Sequence, residues 1–218
     1  MPEPKIFVSV GGTSTPEQEA FVRAVEDCLR SEGMSPHTVG RNTFSSDAPL
    51  RAVETLMNEC SGAVVIGLER TYFPKGTERR GGPRERALIE ARYPTPWNQI
   101  EAAMAYAKGL PLLALVEEGV SPEGLLEPGY DWYVQTVPAT PAALGGAEFN
   151  GVLASWRKKV LVRAEAPAPP AAPHVDAAEM TIGQIAASLR PGQAWKIGVL
   201  AAGIVGGAFS LGARLFGP

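Results

Sequence analysis

The chain has 218 residues, of which 45% are hydrophobic, 20% charged and 7% aromatic, a composition that suits a globular core and excludes a disordered or fibrous chain. Its formal net charge of −3 offers no global attraction to nucleic acid, which is therefore not an expected partner. Cys28 and Cys60 with His37 and His174 are too few and too scattered for a disulfide framework, a zinc site or a serine–histidine triad, and they point to a reducing compartment.

The start, Met1-Pro-Glu-Pro-Lys-Ile-Phe, has no basic region followed by a long apolar run, so synthesis is expected to begin in the cytosol. Lys5 to Val10 is short, apolar and β-branched and runs into Gly11-Gly12-Thr13-Ser14-Thr15-Pro16, which predicts a strand and then a turn. Thr15 is placed to cap a helix with Pro16 at its first position, Gln18 as capping-box partner, and Phe21, Val22, Val25 and Leu29 on one face. A second extended piece is expected near His37 to Gly40. A helix opening at Ser46 to Pro49 follows, with Leu50, Val53, Leu56 and Met57 on one stripe. Gly62 to Leu68 is almost continuously apolar, as a strand covered on both faces should be.

Thr95-Pro96 opens a further helix, stopped by Gly109-Leu-Pro111 before a fourth strand at Leu112 to Val116. A weaker fifth strand is expected at Trp132 to Val137 and a closing helix at Phe149 to Val162. Alternating strands and helices predict an α/β fold with a doubly wound, mostly parallel sheet over residues 1–165. The Pro/Ala-rich piece at 166–178 reads as an extended linker. Beyond it, 179–218 divides into a short amphipathic helix and the uncharged run Ile197 to Ala213, flanked by Trp195, Lys196 and Arg214. From Trp195 to Phe216 a helix would be about 30 Å long, one crossing of a bilayer's hydrocarbon. We read it as a single transmembrane helix whose Gly203-Ile-Val-Gly-Gly207 favours self-association, with a buried or surface-lying helix as the alternative. The expected location is the cytoplasmic membrane, with the α/β domain in the cytoplasm.

Ligands of such sheets bind at the carboxyl ends of the strands, where three segments are expected to converge. Gly11, Gly12, Thr13, Ser14 and Thr15 could seat phosphate or sugar oxygens at a helix start, or could form an ordinary turn; the Walker lysine and the GxGxxG spacing are both missing. The segment from Glu69 to Pro96 is longer than a usual connection and carries seven basic residues, Arg70 among them, against four glutamates. That excess would suit an anionic nucleotide, and equally a solvated insertion or an oligomer contact. In the third segment, Glu101 falls on the flank of a stripe made by Trp97, Ile100, Met104 and Ala107. The helix dipole accounts for an acidic residue there without catalysis, while burial beside Trp97 would raise its pKa and make it useful as a proton donor or nucleophile.

The strand Lys5 to Val10, the Gly/Ser/Thr loop, a helix ending Asn58-Glu-Cys-Ser61, and Thr95-Pro-Trp-Asn-Gln-Ile-Glu101-Ala-Ala-Met-Ala-Tyr-Ala-Lys-Gly-Leu-Pro111 together resemble the TIR domains and the nucleoside 2-deoxyribosyltransferase-like proteins, over about residues 4 to 137. The resemblance implies a flavodoxin/TIR-like sheet and a catalytic glutamate, Glu101, that attacks or stabilises C1′ of a ribose as an N-glycosidic bond breaks. Trp97 and Asn98 would be its pocket neighbours; they stand where the deoxyribosyltransferases have Gly-Thr, and the basic insertion has no counterpart there. It further implies NAD or another nucleotide as substrate or ligand with no added cofactor, and a membrane-anchored bacterial anti-phage effector acting as an oligomer. The alternative expectation is a non-catalytic sensor of a nucleotide signal whose membrane helices oligomerise and permeabilise the bilayer.

Overall fold

A computed structural model describes residues 3–166; the expected transmembrane helix and almost all of the linker lie outside these residues. Seven strands and four α-helices succeed one another as β1 (Lys5–Val10), α1 (Pro16–Ser31), β2 (Ser35–His37), α2 (Pro49–Glu59), β3 (Gly62–Gly67), β4 (Thr71–Glu78), β5 (Arg86–Tyr93), α3 (Pro96–Ala107), β6 (Leu112–Glu117), β7 (Tyr133–Val137) and α4 (Ala147–Glu165). Among these, no helix is long and apolar enough to cross a membrane.

Five strands form one sheet in the order β2-β1-β3-β6-β7, and every pairing within it is parallel. With the β4–β5 pair set aside, this is the flavodoxin-like order 2-1-3-4-5, whose direction of winding reverses between β1 and β3. Two apolar layers sandwich the sheet. Ile6, Val8, Val64, Ile66, Leu113 and Leu115 pack with α1 and α4 through Phe21, Val25, Leu29, Leu153, Trp156 and Val160. Phe7, Ala63, Val65, Leu112, Ala114 and Val116 pack with α2 and α3 through Val53, Leu56, Met57, Ala102 and Ala105. The strict alternation along each strand is what a sheet covered on both faces requires. At Gly62 a side chain would come within 2.7 Å of Val160 Cγ2 and 3.1 Å of Trp156 Cζ2, so α4 approaches β3 this closely because the position has no Cβ.

The structure corrects the expectation in four places. The second strand comes earlier than His37–Gly40, and Leu50 of the α2 stripe is exposed. The long basic segment is not a loop: β4 and β5 form an antiparallel two-stranded ribbon. Its sequence hides this, since Pro74 and Gly76 interrupt β4 and nearly all of its positions face solvent without alternating polarity. A lone ribbon is marginal in water, and here Phe73 stacks edge-on to Tyr93 at 6.0 Å while its root is fastened by Arg70 N–H donating to Tyr93 O at 2.9 Å and Ser121 N–H to Arg92 O at 2.8 Å. Finally, α3 turns a different face inward from the one expected. Asn98, Ala102 and Ala105 are buried, whereas Trp97 and Ile100 are each 41% exposed. Small alanines let the helix lie close on the sheet and push the bulky residues to its margin.

Candidate active site

The carboxyl ends of β1 and β3, where the winding reverses, open into a cavity of about 310 Å³ lined by Val10, Gly11, Gly12, Val39, Pro49, Val53, Arg70, Thr95, Trp97 and Glu101. The three segments expected to converge therefore do so. Gly11 brings the first of them against α3, because a Cβ there would lie 3.0 Å from Cγ2 of Thr95. Thr95 caps α3, accepting a hydrogen bond from Trp97 N–H at 3.4 Å. One turn further along that helix Glu101 reaches the cavity between the exposed Trp97 and the buried alanine face.

Burial pushes the Glu101 carboxyl above the usual carboxylate range, and a hydrogen bond with Ser9 pulls it partly back. Ser9 is the one hydroxyl in the run Ile6 to Val10, which is otherwise apolar, and it is fully buried on the face it shares with Phe7. Its orientation comes from Asn98, 1% exposed, whose Nδ2 donates to Ser9 Oγ at 3.0 Å, to Ile66 O at 3.3 Å and to Ser9 O at 3.5 Å. Two backbone carbonyls can only accept, so they fix which end of the amide is the nitrogen. Ser9 Oγ must then accept from Asn98 and spend its own proton on Glu101. Asn98 Oδ1 is buried with no hydrogen-bond partner among the described residues.

A second arrangement holds the walls. Gln18 is buried on α1; its Oε1 accepts from Ser14 N–H at 2.9 Å, and its Nε2 donates at 3.2 Å to both Glu69 O and Glu117 Oε2. The same carboxylate oxygen accepts Glu69 N–H at 2.7 Å. One amide thus ties the turn after β1, the junction preceding Arg70 and the end of β6. Gln18 was expected to close a capping box; its backbone N–H does donate to Thr15 Oγ1 at 3.2 Å, but its side chain serves the loop instead. On the other side, Arg41 bridges Glu19, at 2.9 and 3.0 Å, and Glu26, at 2.8 Å, holding the Val39-bearing loop to α1.

Of the residues expected in the site, Gly11, Gly12, Arg70, Trp97 and Glu101 line the cavity. Asn98 lies beneath its floor, in contact with Ser9. Thr13 and Ser14 face α1: Thr13 Oγ1 donates to Glu19 Oε2 at 3.0 Å, and Ser14 is held by Gln18. Ser9, Gln18 and Glu117 escaped sequence reasoning. The signal for Ser9 was there, a lone hydroxyl on the inward face of β1; Gln18 and Glu117 act through contacts 51 and 99 positions apart, which no local pattern encodes.

No family model matches the chain and no curated protein matches it. Solved structures similar to it include the CMP N-glycosidase BcmB of Clostridium botulinum, at 17% identity over 52% of this chain and 72% of that one, with a TM-score of 0.30. They also include the TIR domains of the activated Roq1 resistosome recognising the effector XopQ, at 13% identity, 76% and 86% coverage and a TM-score of 0.34. A third is the sugar isomerase domain of an RpiR transcription factor from Sphaerobacter thermophilus, at 15% identity, 75% and 77% coverage and a TM-score of 0.37.

Proposed function

We propose that this chain is an N-glycosidase, cleaving the bond between C1′ of a ribose and the base of a nucleoside or nucleotide, NAD included. The observation that carries the reading is Glu101: a carboxyl desolvated in a cavity at the switch point of the sheet, steered by Ser9 and Asn98 and without a cation paired to it among the described residues. An anion kept from water and from countercharge gains most when positive charge develops in front of it. An oxocarbenium-like C1′ supplies that charge. As the C1′–N bond breaks its electron pair leaves with the base; water adds its hydroxyl to C1′, and its proton ends on the base. Glu101 stabilises the sugar cation, the Ser9 hydroxyl favours the ionised form of the carboxyl against the effect of burial, and Trp97 offers an aromatic wall at the rim.

In this reading the uncharged run at 197–213 anchors the domain to the cytoplasmic membrane, and self-association and an anti-phage role belong to the same proposal; the GxxxG spacing supports the self-association. The test is chromatographic. Full-length protein is incubated with NAD and with purine and pyrimidine nucleosides and nucleotides, alongside Glu101→Ala. Release of free base by the wild type and not by the variant supports the proposal; intact ligands in both remove it.

A further inference from the structure

The cavity carries two ionisable side chains, Glu101 and Arg70, and they do not pair with one another. Arg92, which shares the root of the ribbon with Arg70, pairs with Glu69, and at the ribbon's far end Arg79 and Arg86 pair with Glu78. Arg70 has no carboxylate within ion-pairing distance among the described residues. Its backbone is nonetheless held, by Arg70 N–H donating to Tyr93 O at 2.9 Å and, one residue earlier, by Glu69 N–H on the Glu117 carboxylate at 2.7 Å. Its guanidinium reaches over Gly12, where a Cβ would sit 4.0 Å from Nη1. An exposed guanidinium on an anchored stretch of backbone and a buried carboxyl thus line one cavity, neither with a countercharge among the described residues.

A ligand that satisfies both has an anion at one end and a centre that turns cationic at the other. Guanidinium groups pair with phosphates through two parallel N–H bonds, and a phosphate is the ordinary anionic substituent of a ribose. A cavity of about 310 Å³ stands at the small end of the range of roughly 300–1,000 Å³ for small-molecule sites, suited to one nucleotide more than to two joined end to end. We propose that the substrate is a nucleoside 5′-monophosphate, its phosphate held by Arg70 while its anomeric carbon faces Glu101. The inference rests on the N-glycosidase reading for its second half; Arg70 makes it specific for the phosphate.

The experiment separates the two. Binding of the four common ribonucleoside 5′-monophosphates, their nucleosides and NAD is measured by equilibrium dialysis on full-length Glu101→Gln, and on the same protein carrying Arg70→Gln. At least one monophosphate should bind about 10- to 100-fold more tightly than its nucleoside, the worth of a charged hydrogen-bonded contact. That preference should weaken with added salt and vanish with Arg70→Gln while nucleoside binding stays put. Equal affinity for nucleotide and nucleoside, a preference that survives Arg70→Gln, tighter binding of NAD than of every monophosphate, or no binding at all would each overturn the proposal. Cleavage is followed separately with protein carrying Glu101. Arg70-dependent binding without base release upholds the phosphate site and sinks the glycosidase reading. Base release from nucleosides and nucleotides alike, unmoved by Arg70→Gln, does the reverse.

Discussion

The buried amide of Asn98 donates to the Ser9 hydroxyl at 3.0 Å, and that single bond decides where the hydroxyl proton goes. Because Asn98 Nδ2 is also held by the carbonyl of Ile66, Ser9 is left to donate toward Glu101, where its bond opposes the effect of burial. Ser9→Ala should therefore raise the Glu101 pKa further. With the ionised carboxylate as the working form, the acid limb of kcat/KM moves to higher pH, and kcat/KM on that limb falls below the wild-type value. Asn98→Leu should move the limb the same way through Ser9 without touching the cavity. A pH–rate profile checks both.

Much of this frame was legible in advance. The alternation of Ile6, Phe7 and Val8, the unbroken apolar run at Gly62 to Leu68 and the Thr-Pro helix starts are local signals, and they placed five parallel strands and the convergence of Gly11, Arg70 and Glu101. The ribbon β4–β5 was hidden because an exposed pair of strands has no buried face to write a period of two into its sequence. The inward face of α3 was misjudged because size was taken for burial: Ala102 and Ala105 lie against the sheet, and Trp97 and Ile100 do not. Gln18 was read as part of a helix cap, when the partners of its side-chain nitrogen come from the junction after β3 and from the end of β6.

Holding Glu101 desolvated works against the fold. The folded state retains this proton to a higher pH than the unfolded chain does, so stability falls as pH rises from the unfolded pKa through the raised folded one. Glu101→Gln should melt at a higher temperature than wild type at pH 8. The advantage should shrink as pH drops toward 4, where the wild-type carboxyl is already protonated. Each kcal/mol of relief is about 2–4 °C in Tm for a domain of this size. Scanning calorimetry at the two pH values reads the sign.

Glu19 behaves oppositely. Hydrogen bonds from Arg41 and Arg23 hold its carboxyl down to about 2, so its contribution is complete above the unfolded carboxylate range and is lost as pH falls toward 2. Glu19→Gln should lower Tm at pH 7 and differ little from wild type near pH 2. Urea titrations at both ends of that window test it.

Gln18→Leu should be costly for a group outside the cavity. It leaves the Glu69 carbonyl without its amide donor and the Glu117 carboxylate with one donor fewer, a loss of about 1–3 kcal/mol. It also frees the junction that carries Arg70. A lower urea midpoint with an unchanged m-value, together with weaker ligand binding, is the expected pair of results.

Burial pushes the Cys60 thiol up to about 12 and raises that of Cys28 as well. Neither should form the reactive thiolate readily at pH 8. A thiol-specific reagent should label Cys60 only as the protein unfolds, which mass spectrometry after timed alkylation in rising denaturant follows directly.

In the proposed reaction one shielded carboxylate breaks a base–sugar bond. The most direct measurement is free base formed per enzyme by wild type and by Glu101→Gln, both shown folded by their melting curves. Multiple turnovers are expected of the wild type and a rate at least about 10²- to 10³-fold lower of the variant. Equal rates in the two proteins would contradict that reaction.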